Sequence, residues 1–215
     1  MHKRSSLCGL VIVSAALSLP FDGAAAGDRY ANFADLSANA REGVDFEVIN
    51  RDVGASISVL AIHGGNIEPG TDAIARAIAG GQLNLYIFRA MKPSGSWDMH
   101  VTSTHFDDPR AVKMVSGSVY AVSIHGEGAS GEDEVCLGGA NATLRDRLAE
   151  RLQGLFRVQN PCQAFPGVSP ENIVNRAVKQ GVQLELSKSL RQRLQSDQGL
   201  LRQFASMVRE VMLSH

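Results

Sequence analysis

At 215 residues the chain has the length of one domain, and its 44% apolar and 20% charged residues are ordinary globular usage. A formal charge of −1, with no basic stripe or aromatic platform, excludes the field by which proteins bind nucleic acid or anionic lipid. A polyanionic ligand would have to find its cations locally.

The first 26 residues read as a secretory signal peptide. His2, Lys3 and Arg4 open it, an apolar run covers residues 7–19, and Ala24-Ala25-Ala26 supplies a small-residue cleavage pattern. The run is shorter than the about 20 apolar residues of a membrane span. Export is therefore expected, with residues 27–215 forming one secreted or periplasmic domain that leaves the membrane once the leader is cut. Removing Cys8 leaves Cys136 and Cys162, an even pair in an oxidising compartment, which predicts a disulfide.

Strand-like and helix-like segments then alternate, the pattern of an α/β sandwich. Residues 56–62 (SISVLAI) form a continuous apolar strand of the kind buried on both faces. Residues 71–79 have helical spacing, with Thr71 as N-cap and Gly80-Gly81 as stop. Strands are expected at 84–88 and 99–104, and a short helix at 109–115. Residues 119–124 (VYAVSI) are another buried strand, and 141–155 an amphipathic helix with Leu144, Leu148, Leu152 and Leu155 on one side. A strand at 182–186 precedes two C-terminal helices over 187–213, broken near Gly199.

Three polar clusters interrupt this pattern at carboxyl ends of predicted strands, where open α/β sheets place ligands. In HGGNIEPG, His63 follows a strand, and Glu68 comes five residues later across a glycine pair that permits a sharp turn. An imidazole and a carboxylate converging from one loop suit a catalytic zinc, which takes three protein ligands. His125 follows the second buried strand and is the preferred third ligand, because that strand is the more deeply apolar. His105, in TSTHFDDP, competes with it and otherwise falls on the substrate side. In GVQLEL, strand alternation sets Gln183 and Glu185 on one face and Val182, Leu184 and Leu186 on the other. A buried Glu185 is costly without a partner, and a catalytic place beside the metal resolves that cost.

These stretches, AIHGGNIEPGTDAIA at 61–75, HVTSTHFDDP at 100–109, VSIHG at 122–126, CLGG at 136–139, ENIVNR at 171–176 and GVQLELSKSLR at 181–191, resemble the poly-gamma-glutamate hydrolase family. The resemblance implies a zinc carboxypeptidase-like, three-layer α/β/α sandwich with a mixed, mostly parallel sheet. It implies Zn2+ held by His63, Glu68 and His125, with Glu185 as general base. By the same likeness Asn175 and Arg176 would grip a substrate carboxylate, although their order along the chain differs from the carboxypeptidase pair; Arg191 is a second candidate cation. The implied partner is a glutamyl polymer or peptide, cut at γ-glutamyl amide bonds. The alternatives are an amidase or peptidase of cell-wall peptides and a non-catalytic binding protein of the same fold.

Overall fold

The computed structural model describes residues 27–128 and 131–214. Its strands are β1 (Phe46–Arg51), β2 (Ile57–Gly65), β3 (Asn84–Ala90), β4 (Tyr120–Gly126), β5 (Glu134–Gly138), β6 (Arg157–Gln159) and β7 (Gly181–Leu186). Its helices are α1 (Phe33–Asn39), α2 (Thr71–Ala79), α3 (Pro109–Ser116), α4 (Ala142–Leu152), α5 (Lys188–Ser196) and α6 (Gln198–Leu213). Short 3-10 turns occupy Ser96–Met99 and Ile173–Arg176. The predicted signal peptide and Cys8 lie outside the described residues. No helix among the described residues is long and apolar enough to cross a membrane.

The strands form one mixed sheet in the order β1-β3-β2-β4-β7-β5-β6. β2 lies between β3 and β4 and runs parallel to both; β4 is parallel to β7, while β1 and β5 run antiparallel to β3 and β7. The chain leaves β2 towards β3 and then returns to its other side as β4. That reversal makes the carboxyl ends of β2 and β4 the switch point at which such sheets open a crevice.

The two faces of the sheet are unequal. On one, Val59, Ala61, Val122, Ile124, Val182, Leu184 and Leu186 pack against α2, α4, α5 and α6. On the other, Leu60, Ile62, Tyr86 and Phe88 pack against α1, α3 and the 3-10 turns. The apolar covering of that second face ends at β4 and β7, where period-two alternation turns Ser123, His125, Gln183 and Glu185 outward from the first core. Four buried polar side chains thus stand where a helix would otherwise be seated.

Some expected boundaries moved. Residues 99–104 are not a strand: the Thr102 amide donates to the Asp28 carboxylate and the Ser103 carbonyl accepts from Ile173 N, so side-chain and loop partners replace a ladder. Gly70, at φ 99°, rather than Thr71, caps α2. The C-terminal helices break at Asp197, whose carboxylate accepts from Leu200 N, and Gly199 falls inside α6. Cys136 and Cys162 form the expected disulfide.

Candidate functional site

The glycine pair after His63 does specific work. A Cβ on Gly64 would lie 2.8 Å from the Phe88 carbonyl, and one on Gly65, at φ 67°, would lie 2.2 Å from that of Ala90. Only glycine lets the end of β2 run this close to β3 while turning. The turn closes with Glu68 N donating to His63 O at 2.9 Å, and Thr71 Oγ1 donating to Glu68 O at 2.9 Å. Glu68 is thereby folded back over His63. Its Oε1 stands 2.9 Å from His63 Nδ1, and its Oε2 accepts from Gly126 N at the end of β4, also at 2.9 Å.

His125, near the end of β4, brings its Nδ1 to 3.2 Å from His63 Nδ1 and 3.8 Å from Glu68 Oε2. The outer nitrogens of both rings are occupied: His63 Nε2 meets the Val101 carbonyl at 2.9 Å and His125 Nε2 meets Ser123 Oγ at 2.7 Å. A carbonyl only accepts, so His63 Nε2 carries the hydrogen and Nδ1 of the neutral ring is a bare lone pair. That lone pair faces a carboxylate oxygen and a second imidazole nitrogen. Such a grouping is repulsive unless a cation, a proton or a metal ion, sits among the three.

The residues fit a metal. Four-coordinate zinc with bonds of about 2.0–2.1 Å sets its ligand atoms about 3.3 Å apart. The 3.2 Å between the two Nδ1 atoms and the 2.9 Å from Nδ1 to Oε1 approach that spacing. Outer hydrogen bonds that fix ring orientation are also the rule for metal-binding histidines.

Burial would depress the basicity of His63, but the Glu68 carboxylate and the Val101 bond hold it above the usual imidazole range. Burial would likewise raise Glu68, and the His63 ring beside it lowers it instead. His125 falls to about 3, because burial and the neighbouring His63 outweigh the attraction of Glu68. Each is the response of a desolvated group to its close neighbours.

Glu185 is the register partner of His125 across β4 and β7 and so projects on the same side. It is 7% exposed. Burial and the charges of Glu68 and Glu127, against the attraction of Arg191, hold its carboxyl well above the usual range. Gln183 Nε2 donates to its Oε1 at 3.0 Å.

A model of the poly-gamma-glutamate hydrolase family matches residues 30–211. The chain belongs to that family. YndL of Bacillus subtilis (strain 168) is 37% identical over 183 residues, which are 81% of this chain and 70% of YndL. A bacteriophage poly-gamma-glutamate hydrolase structure superposes with TM-score 0.81 at 30% identity, covering 86% of this chain and 96% of that one. The structure of zinc-free YndL superposes with TM-score 0.79 at 32% identity, covering 87% and 98%.

The remaining predicted residues of this family member fall in different places. Arg191 is 5% exposed, and its guanidinium donates to the carbonyls of Leu186, Pro69 and Glu127 at 3.2, 2.8 and 2.9 Å. Asn175 gives both amide hydrogens to the Gly167 and Ser169 carbonyls and accepts from Ala140 N. These two side chains are therefore engaged with backbone. Arg176 is half-buried, with one nitrogen donating to Glu171 O at 3.3 Å. His105 is exposed; the group of possible metal ligands among the described residues is His63, Glu68 and His100, and neither His105 nor His125 is in it.

Sequence reasoning passed over His100. Its ring stacks on His63 at 4.1 Å between centroids, exposed Trp97 stacks on its far side at 4.9 Å, and Asp28 Oδ1 holds its Nδ1 at 2.6 Å. One nitrogen of His100 lies within 4.8 Å of the ligand atoms of His63 and Glu68, so it too can serve a metal. Asp28 stays ionised: burial would raise it, but the Thr102 amide and the His100 ring pull it down. The available signal was weak, a second histidine in HVTSTHF whose partner lies 72 residues earlier.

Proposed function

We propose that this hydrolase-family protein is an exported zinc-dependent amidohydrolase that cuts γ-glutamyl amide bonds. The carrying observation is the meeting of His63 Nδ1, His125 Nδ1 and the Glu68 carboxylate within 2.9–3.8 Å, with both rings tied from behind. His63, Glu68 and His125 are the residues that would hold the ion, with His100 beside them. Bound there, zinc supplies a Lewis acid and a means of activating water at neutral pH.

The chain's own groups supply the rest. Glu185, with Oε1 held by Gln183, keeps Oε2 for proton transfer, taking a proton from the attacking water and returning it to the leaving nitrogen. Its raised pKa suits a group that must hold the proton between those steps. Asp28 takes the hydrogen of His100 Nδ1 and fixes the ring, leaving its other nitrogen as a lone pair that could serve the metal. His105 and Arg176, with more freedom than Arg191 or Asn175, are the groups to meet the carboxylates of a glutamyl chain.

The test is hydrolysis of poly-γ-glutamate by zinc-loaded and chelated protein, with α-linked polyglutamate alongside and products read by mass spectrometry. The expected result is γ-linked oligomers released only by the loaded protein. Equal cleavage of both polymers would remove the linkage assignment, and chelator-insensitive cleavage would remove zinc.

A further inference from the structure

Glu185 is aimed by a buried carboxamide that no part of the reaction consumes. Gln183 is 5% exposed and sits two residues before Glu185 on the same side of β7. Its amide group is fixed without ambiguity. The Phe165 carbonyl, 3.2 Å away, can only accept, so the atom facing it is the nitrogen. The second hydrogen of that nitrogen points to Glu185 Oε1 at 3.0 Å, and Oε1 of Gln183 accepts from Asn172 Nδ2 at 2.8 Å. With both hydrogens and the oxygen engaged, the amide cannot turn over without breaking three bonds.

The partners of Gln183 are themselves anchored. Phe165 and Gly167 belong to the segment that follows Cys162, and Cys162 is bonded to Cys136, the register partner of Glu185 on the opposite strand. Cys162 N donates to Leu137 O, and Gly139 N donates to Pro166 O. Asn175 and Asn172 both donate to Gly167 O. The fit is tight: a Cβ on Gly138 would lie 2.5 Å from Phe165 O, and one on Gly167 would lie 2.4 Å from the Gln183 amide. The segment is pressed onto β5 and β7 with no room to slide.

We infer that Gln183 is a positioning residue that orients the Glu185 carboxylate, and that the disulfide-anchored segment carrying Phe165 and Gly167 holds Gln183 in turn. This rests on the reading of Glu185 as the proton-transfer group. Methionine in place of Gln183 preserves length and removes both donors. In zinc-loaded Q183M, kcat for poly-γ-glutamate should fall about 10- to 100-fold, the worth of one hydrogen bond to a charged group. KM and zinc content should stay within about twofold, because no metal ligand or substrate contact is touched.

An independent readout needs no turnover. In zinc-free protein the Gln183 side-chain NH2 resonances should shift on E185Q, which replaces the carboxyl acceptor with a carboxamide. A kcat within about twofold of wild type in Q183M, or NH2 resonances indifferent to E185Q, overturns the inference. E185Q run in the same turnover assay separates the two ideas: if it keeps wild-type kcat, the reading of Glu185 is what has failed. Should Q183M lose its cooperative unfolding transition, N172A carries the same test, with an expected loss of about 3- to 10-fold from the weakened Gln183 anchor; unchanged kcat in folded N172A overturns the inference equally.

Discussion

His125 should make the zinc-free protein sensitive to mild acid. Its folded-state pKa is about 3, against about 6.5 for a free imidazole. Below pH 6.5 the unfolded chain therefore takes up a proton that the folded chain refuses, and stability falls as pH drops towards 3. The limiting slope is about 1.4 kcal/mol per pH unit. Between pH 6.5 and 5.0 the two pKa values give a loss of about 1.6 kcal/mol from this one group. His63 acts in the opposite sense: its raised pKa gives stability that is present below its unfolded value and lost as pH rises through the folded one. The comparison is therefore wild type against H125N, which cannot titrate. Urea denaturation with chelator at both pH values should show wild type losing about 1.6 kcal/mol more than H125N, at unchanged m-value. An equal loss in the two proteins would refute a buried, neutral His125.

E185Q should retain zinc while kcat falls about 10²- to 10⁴-fold, the usual contribution of general acid–base transfer; metal analysis and product release check the two halves. C136S/C162S should lose about 3.5 kcal/mol in denaturant titration, the chain-entropy value for a loop of this length, whereas reducing agent should leave that double variant unaffected. R191K should cost about 2–4 kcal/mol, since one ammonium cannot reach three separated carbonyls and the abandoned acceptors stay buried; a change in urea midpoint below the equivalent of about 0.5 kcal/mol would show that the three bonds are dispensable.

The parts of the fold visible in the sequence are those where one local pattern met no rival. β2, β4 and β7 are apolar runs ending in a polar group, and buried central strands need little else to declare themselves. β1 is mostly a run of partly exposed residues at the sheet edge, and β5 and β6 hold only five and three residues, so none carries a pattern distinct enough to stand out. Residues 99–104 went the other way: Met99 and Val101 alternate like a strand and are buried, but they pack beneath α1 and α3 rather than in a ladder. The glycine pair after His63 signalled a sharp turn, and the turn that folds Glu68 back is there. The alternation of β7 placed Gln183 beside Glu185. What no local pattern could supply were the partners from afar: Asp28 for His100, Asn172 and the Phe165 carbonyl for Gln183, and the Pro69 and Glu127 carbonyls for Arg191.

Arg191 shows why those distant partners matter to a site built from strand ends. The predicted catalytic and ligand side chains leave the sheet near the carboxyl ends of three strands: His63 and Glu68 at β2, His125 at β4, Glu185 at β7. Strand ends fray and loops drift, so three of them converge within bonding distance only if something crosses between them. The Arg191 fork touches the residue after Glu68, the second residue after His125 and the residue after Glu185. A glycine at 126 makes room for it, since a Cβ there would stand 2.5 Å from the guanidinium carbon. The same cation lies among the charges of Glu68, Glu127 and Glu185, lowering the repulsion of gathering three carboxylates around one crevice. An arginine that the sequence offered as a candidate substrate cation thus commits three of its five N–H donors to backbone carbonyls that tie these strand ends together.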